Sequence, residues 1–335
     1  EFDLADVAKL KVERLGGEVQ DADVDEALNR LAEQSRTFSP REEGAPSEKG
    51  DLVVIDFVGK VDGLEFPGGK ADDFRLNLGA GQLIPGFEDQ LTGAKAGESR
   101  QLNVTFPASY TDATLAGKDA TFDVSVKEVR KPDPIAIDGE LAKKLGVDDL
   151  GTLKDRVREQ LKSDFARASR LHMKRRILDA LDKLHTFELP PAMVETEFDA
   201  IWKQVEAELK REGKTAADEG KSEDELKKEY REIAERRVRL GLVLARIGEQ
   251  NGITVSGDEV QRAIMARARQ FPGQEQQVFD FYAKNSQAAA EIRAPLFEDK
   301  VVDFIAELAE VNDRKVDRET LFLDPDEAAE KLKAG

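Results

Sequence analysis

The chain is 335 residues long, enough for two or three domains with buried cores. It carries 51 Lys and Arg against 69 Asp and Glu, a net charge of −18; nucleic-acid backbone binding is therefore not its main task, because neutralising phosphate needs a basic face. It has no Cys, which excludes disulfides and thiol nucleophiles, and only two His, His172 and His185, placed on one helical pattern but not at i, i+4, which argues against a metal site.

No stretch approaches the roughly 18 apolar residues of a membrane-spanning helix. The opening EFDLADVAKLKVERL lacks the apolar core of a secretory signal, so the expected location is the cytoplasm. Charged residues make up 36% of the chain and aromatics 6%, yet helical periodicity is strong. That combination predicts extended helices with much solvated surface rather than disorder.

In chain order, residues 1–20 predict a short strand or connector around Leu10, Val12 and Leu15, closed by Gly16-Gly17. Asp21 to Arg36 predicts a helix with Asp23 as its cap, Glu26 three residues on, and Val24, Leu28 and Leu31 as its stripe. SPREEGAPSEKG (Ser39–Gly50) has the composition of a linker. Gly50 to Arg130 then predicts a β unit: a strand DLVVIDFVGKVDG ending on the Asp62-Gly63 turn, a loop LEFPGGKADDF, and a strand FRLNLG. AGQLIPGFEDQLTGAKAGE reads as turn, short helix and turn, and two more strands follow, RQLNVTFP and ATFDVSVKEV. The last three strands alternate apolar and polar residues, as antiparallel strands with one dry face do. KPDPIAID (Lys131–Asp138) is a second linker.

From Leu141 the apolar period changes to 3.6. Leu150, Leu153, Val157 and Leu161 open a run at helical spacing that continues to Leu184 and predicts one helix, about 50 Å long if unbroken. Pro190-Pro191 separates it from a second helix bearing Val194, Phe198, Ile201, Val205 and Leu209. Ser222 with Glu225 forms a capping box for a third helix, stopped by Asn251-Gly252, and Ser256 with Glu259 forms another. Pro272-Gly273 breaks that helix. A short helix with Val278, Phe279 and Tyr282 follows, then a last one through Ile292 and Leu308, kinked at Pro295; the tail DEAAEKLKAG is expected to fray. Asp72-Asp73, Asp148-Asp149, Glu42-Glu43, the LysArgArg run at 174–176 and Arg236, Arg237 and Arg239 read as solvated charges. Gly79-Ala80-Gly81 lacks the third glycine and the βαβ frame of a dinucleotide loop.

Six of the seventeen phenylalanines, Phe57, Phe66, Phe74, Phe87, Phe106 and Phe122, fall in the β unit. Taken alone they are most simply a core. The full string VIDFVGKVDG, EFPGGKADDFRLNLGAGQLIPGFEDQLTGAKAGE, FPASY and ATFDV, however, resembles the FKBP-type peptidyl-prolyl isomerase domain. With its short FPxxY connection and helical C-terminal region, the chain resembles the bacterial trigger factor family. DADVDEALNRLAEQ is similar to that family's linker helix, and LPPAMVETEFD, ERRVRLGLVLARIGEQNGI and FYAKN to its chaperone domain.

The resemblance implies an α+β fold, in which an antiparallel FKBP-type half-barrel is inserted next to an extended all-α domain with projecting helical arms. It divides the chain into a remnant strand and linker helix (1–37), an isomerase domain (38–131) and a helical chaperone domain (132–335). It implies a chaperone holding nascent or unfolded polypeptides, with isomerase activity that needs no cofactor and no metal. The implied pocket has Phe57, Phe66 and Phe74 as walls, Leu83 and Ile84 before the short helix, Phe87 as floor, and Tyr110 and Phe122 closing the far side, with Leu115 as a further candidate. Pro67 stands where many relatives hold an acidic residue. Client binding falls to Phe198, Ile201, Trp202, Phe271, Phe279, Tyr282, Ile292 and Phe297, with Phe281 nearby. No membrane contact and no direct nucleic-acid contact are expected. The ribosome would be a partner only through an N-terminal domain marked by a Gly-Phe-Arg loop, a motif the sequence does not contain. Two other readings stay open: an isomerase whose helices are only scaffold or dimer interface, and a non-catalytic adaptor that binds proline-containing peptides.

Overall fold

The computed structural model describes residues 2–112 and 114–334. In chain order the elements are β1 (Lys11–Gly16), α1 (Asp21–Gln34), β2 (Phe38–Pro40), β3 (Leu52–Val61), β4 (Leu64–Asn77), α2 (Phe87–Leu91), β5 (Ser99–Thr105) and β6 (Asp119–Pro132). They continue as α3 (Gly139–Lys144), α4 (Leu150–Leu184), α5 (Pro191–Glu212), α6 (Glu223–Gln250), α7 (Gly257–Ala268), α8 (Glu275–Lys284), α9 (Ser286–Leu308), β7 (Glu310–Lys315), α10 (Arg318–Phe322) and α11 (Pro325–Ala334). Two compact units result: residues 20–160, and residues 1–19 together with 161–335.

In the first unit, β6 is the central strand of a five-stranded antiparallel sheet. β3 pairs along one of its edges, and β5 and then β2 along the other; β4 closes the order beyond β3. The predicted loop LEFPGGKADDF is instead strand. Asp62 and Gly63 both adopt left-handed backbone angles (φ 53° and 80°), a two-residue turn that returns Leu64 directly opposite Val61. Periodicity missed this stretch because β4 breaks register with β3 twice. Pro67 falls in one interruption, where no ladder N–H is required. Alternating residues of β3, β5 and β6 supply Val53, Ile55, Leu102, Val104, Val124 and Val126 to one core.

Helix starts were placed correctly by pattern at Ser222 and Ser256, where both capping boxes are formed. At α1 the cap is Gln20, and Asp23 is the third helical residue whose carboxylate accepts the Gln20 N–H. The long helix predicted through Leu184 is α4, Leu150–Leu184, and a short separate helix, α3, precedes it. Gly146, at φ 73°, turns the chain out of α3, and Asp149 accepts the N–H of Thr152 in the first turn of α4.

In the second unit, Leu10, just before β1, and Val12 of β1 pack with Ile177 and Leu181 of α4, Val243 and Ile247 of α6, and Val301 and Ile305 of α9. β7 pairs in parallel with β1. The sequence concealed β7, because EVNDRK has no alternation and is almost wholly exposed. The C-terminal segment expected to fray is α11, which buries Ala328 and brings Leu332 against Leu15, Phe165 and Leu321. α9 continues through Pro295 as one helix.

The charges read as solvated mostly have structural partners. Lys174 bridges Glu298 and Asp299, Arg175 meets Asp326, and Arg176 meets Glu13. Arg236 pairs with Asp179, Arg237 with Glu197 and Arg239 with Asp182. These cations link α4 to β1, α9 and α11, and α6 to α4 and α5. Both histidines are buried. His172 Nε2 lies 2.9 Å from the Leu321 carbonyl, and His185 Nε2 accepts the Ala5 N–H at 3.0 Å. Among the described residues, no helix is long and apolar enough to cross a membrane.

Candidate active site

The antiparallel sheet brings all the predicted pocket residues of the β unit to one cluster, in which rings meet edge to face. Phe57 on β3 lies 5.7 Å from Phe74, 5.9 Å from Phe87 and 5.9 Å from Phe122, measured between ring centroids. Phe122 on β6 also meets Phe87 at 5.1 Å and Phe66 at 6.1 Å. Edge-to-face pairs of this kind place the positive ring edge on the negative face, which orients the rings as well as burying them.

Burial grades outward. Phe57, Phe87 and Phe122 are buried, Phe87 almost completely at 1% exposure. Phe66, Phe74, Leu83 and Ile84 are half-buried against them, and Tyr110 is 38% exposed. One expected position is corrected. Phe122 sits at the centre of the cluster, not on its far side, because its partner across the sheet is Gly59 and its ring fills the space that a side chain there would take. Phe57, expected as a wall, is buried beside Phe87. Leu115 is buried in the same core.

Several positions that shape the cluster escaped sequence reasoning. Phe106 carries the far side: its ring lies 4.7 Å from Tyr110 and 5.7 Å from Phe66. Gly59 and Gly69 leave room for rings. A Cβ at Gly59 would stand 2.5 Å from Phe122 Cε1, and one at Gly69 would stand 2.8 Å from Phe66 Cζ. For Gly59 only its juxtaposition with Phe122 on the paired strand could have shown this, and that needs the register; Gly69 lies on the same strand as Phe66, three residues on.

A bulge aims Phe74. Asp73 takes a left-handed backbone angle (φ 52°), unusual for a non-glycine residue, and the break in register falls between Ile55 and Phe57. Asp56 accepts the Asp73 N–H at 2.7 Å, and Lys127 bridges Asp56 at 2.8 Å and Asp73 at 2.7 Å. Asp56, with Asp73 behind it, holds the Lys127 ammonium well above its ordinary value; Lys127 and the Asp73 N–H hold Asp56 below its own. Asp73 is thus the anchor of a strained turn rather than a loose surface charge.

The loop carrying Leu83 and Ile84 is organised by Glu88, the second residue of α2. Its Oε2 accepts the N–H groups of Gly79 (2.7 Å) and Gly81 (3.0 Å), and its Oε1 those of Gln82 (2.7 Å) and Leu83 (3.3 Å). Burial alone pushes this carboxyl up, but the four N–H donors outweigh it and hold it below the usual carboxylate range. A depressed carboxylate stabilises the fold above its unfolded-state value and loses that contribution as pH falls through the folded value, so the loop is fully held across the neutral range.

The client-binding candidates divide. Phe198 and Ile201 are buried between α5 and α6 and are corrected to core residues. Trp202 is half-buried beside them, its Nε1 donating to Glu206 and Lys227 lying over its ring. Phe297 is also packing, half-buried on Gly248 of α6. Phe279, Tyr282 and Ile292 are half-buried. Phe271 and Phe281 are open to solvent, at 45% and 54% exposure, and Met265 is close to the former in sequence at 46%.

Residues 44–127 match the family model described as FKBP-type peptidyl-prolyl cis-trans isomerase, so the sheet and its ring cluster form a domain of that class. Residues 149–307 match the family model of the bacterial trigger factor protein C-terminus. The chain is 56% identical over 325 residues to the trigger factor of Parvibaculum lavamentivorans, covering 97% of this chain and 64% of that protein. It is 54% identical over 327 residues to that of Methylorubrum extorquens (98% and 68%) and 52% identical over 321 residues to that of Nitrobacter winogradskyi (96% and 71%). The chain belongs to the trigger factor family, and it spans 64–71% of the length of these relatives. It also shares its fold with a solved structure of the trigger factor chaperone, described for promiscuous substrate recognition in folding and assembly. That match has a TM-score of 0.62 at 20% identity and covers 92% of this chain and 72% of that one.

Proposed function

We propose that this chain holds nascent or unfolded polypeptides in the cytoplasm, and that residues 38–131 catalyse peptidyl-prolyl cis–trans isomerisation, with 1–37 as a strand and linker helix and 132–335 as the holding domain. The graded ring cluster carries the catalytic reading. Amide resonance sets a rotation barrier of about 18–20 kcal/mol, and the twisted transition state has lost that resonance and part of its charge separation. A dry floor of Phe57, Phe87 and Phe122 favours the twisted, less polar amide over the hydrated planar one, which is differential binding of the transition state. The accessible rim of Phe66, Phe74, Ile84 and Tyr110 admits a proline ring from solvent. The Ile84 N–H has no partner among the described residues and supplies a donor for a substrate carbonyl. No acid, base or nucleophile is required of these side chains.

The holding reading is supported by apolar surface on the helical unit, where Met265, Phe271 and Phe281 stand open among charged residues. Such surface binds unfolded chain by area, weakly at each point, so several patches act together. Residues 1–37 carry ten acidic and five basic side chains, which supports no phosphate-binding role for that segment.

The two activities separate by excision. The Asp133 N–H donates to the Thr37 carbonyl at 2.9 Å, so residues 38–133 leave and return at one point and their removal joins neighbouring ends. The excised chain should suppress aggregation of a denatured client as the intact chain does while losing isomerase activity. A folded excised chain that holds nothing, beside an isolated 38–133 that does, would reverse the assignment.

A further inference from the structure

We propose that Glu88 is a positioning residue for proline isomerisation: its carboxylate gathers the backbone of Gly79, Gly81, Gln82 and Leu83, and so fixes Leu83 and Ile84 against the ring cluster. This rests on the isomerase reading above.

The loop needs such a fixture. Gly79, Gly81 and Gly86 all hold left-handed backbone angles (φ 88°, 68° and 84°), so the segment between β4 and α2 has little intrinsic preference for one shape. The N–H groups of Gly79, Gly81, Gln82 and Leu83 turn inward to one point, while that of Ala80 donates to the Asn77 carbonyl. Only an ionised carboxylate offers enough lone pairs, on two oxygens, to accept four of them. The next amide, that of Ile84, is left over and free to meet a substrate. Glu88 also follows Phe87 directly, so floor ring and loop clamp are adjacent residues of one short helix. The clamp therefore sets the distance between the apolar floor and the half-buried Leu83 and Ile84. It touches no substrate; its effect on the reaction passes through the loop.

Glu88→Gln isolates this role. Glutamine keeps the volume but replaces one oxygen with an NH2 that opposes two of the N–H donors. The intact chain and the variant are compared at a temperature well below both unfolding midpoints, by kcat/KM on an Xaa-Pro tetrapeptide and by amide hydrogen exchange at 79–84. Loss of orientation of this kind predicts a fall in kcat/KM of about tenfold, with faster exchange confined to the loop. A purely structural contribution lowers the midpoint but leaves kcat/KM of the folded variant unchanged, and that result overturns the proposal. If the intact chain shows no catalysis at all, the isomerase reading falls and this one with it. Should Glu88→Gln not fold, Glu88→Asp keeps the charge and shortens the reach. It is then expected between wild type and inactive, and wild-type kcat/KM with a loosened loop would overturn the role equally.

Discussion

Gly59→Ala is expected to lower isomerase activity at least tenfold and to destabilise residues 20–160 by about 1–3 kcal/mol, the usual cost of overpacking a filled core. Intrinsic preference points the other way, since Ala in a strand interior is favoured over Gly by roughly 0.5–1 kcal/mol. Geometry decides the sign. The added Cβ would stand 2.5 Å from Phe122 Cε1 and 2.9 Å from both Cδ1 and Cζ, so it meets the ring along an edge. That ring cannot retreat, because Phe57, Phe66 and Phe87 already touch it. Displacing it distorts the apolar floor at the point where the proline ring would sit. Urea unfolding and peptide isomerisation check the two effects together. Wild-type values in both would mean that Phe122 has room the packing does not show.

Gly248→Ala is the counterpart in the helical unit. A glycine in a helix interior gives up about 1 kcal/mol relative to alanine, so propensity alone predicts stabilisation. Here the Cβ would lie 2.3 Å from Phe297 Cζ and 2.8 Å from Cε2, with Val301 Cγ2 at 3.4 Å behind. The Phe297 ring is packed against the α4–α6–α9 core and has no flexible end to swing aside. The expected net effect is a loss of about 1–3 kcal/mol, with isomerase kinetics unchanged because the site lies in the other unit. Gly241, two turns earlier on α6, has nothing within 4 Å of its Cβ position, so Gly241→Ala should stabilise by up to about 1 kcal/mol. Equal effects at the two positions would contradict the packing account.

These two glycines mark where sequence stopped being informative. Alternating apolar residues in the predicted strands announced a dry face, and the capping boxes at Ser222 and Ser256 announced two helix starts, because each signal is local. Gly59 and Gly248 matter only through residues 63 and 49 positions away, which no local pattern reports. Phe106 was visible as one more ring, but its place beneath Tyr110 depends on how the chain leaves β5. Glu88 looked like one acid in an acidic chain; its importance lies in four backbone groups that converge on it. β7 was hidden for the opposite reason: its pairing with β1 is all backbone, and its side chains are polar. Phe198, Ile201 and Phe297 show the limit of apolar stripes as evidence of surface, because the same spacing serves a helix pair that closes over them.

The central claim is that the ring cluster itself, with no titrating group, accelerates prolyl isomerisation. The measurement that tests it most directly is the cis–trans exchange rate of an Xaa-Pro peptide with the intact chain, Phe66→Ala and Tyr110→Ala, each followed from pH 6 to 8. Both residues are partly accessible, so both variants should fold. The account predicts acceleration by the intact chain that is flat across this range, as expected when no acid or base takes part, and a marked loss in both variants. A bell-shaped profile, or intact-chain rates in both folded variants, would contradict it.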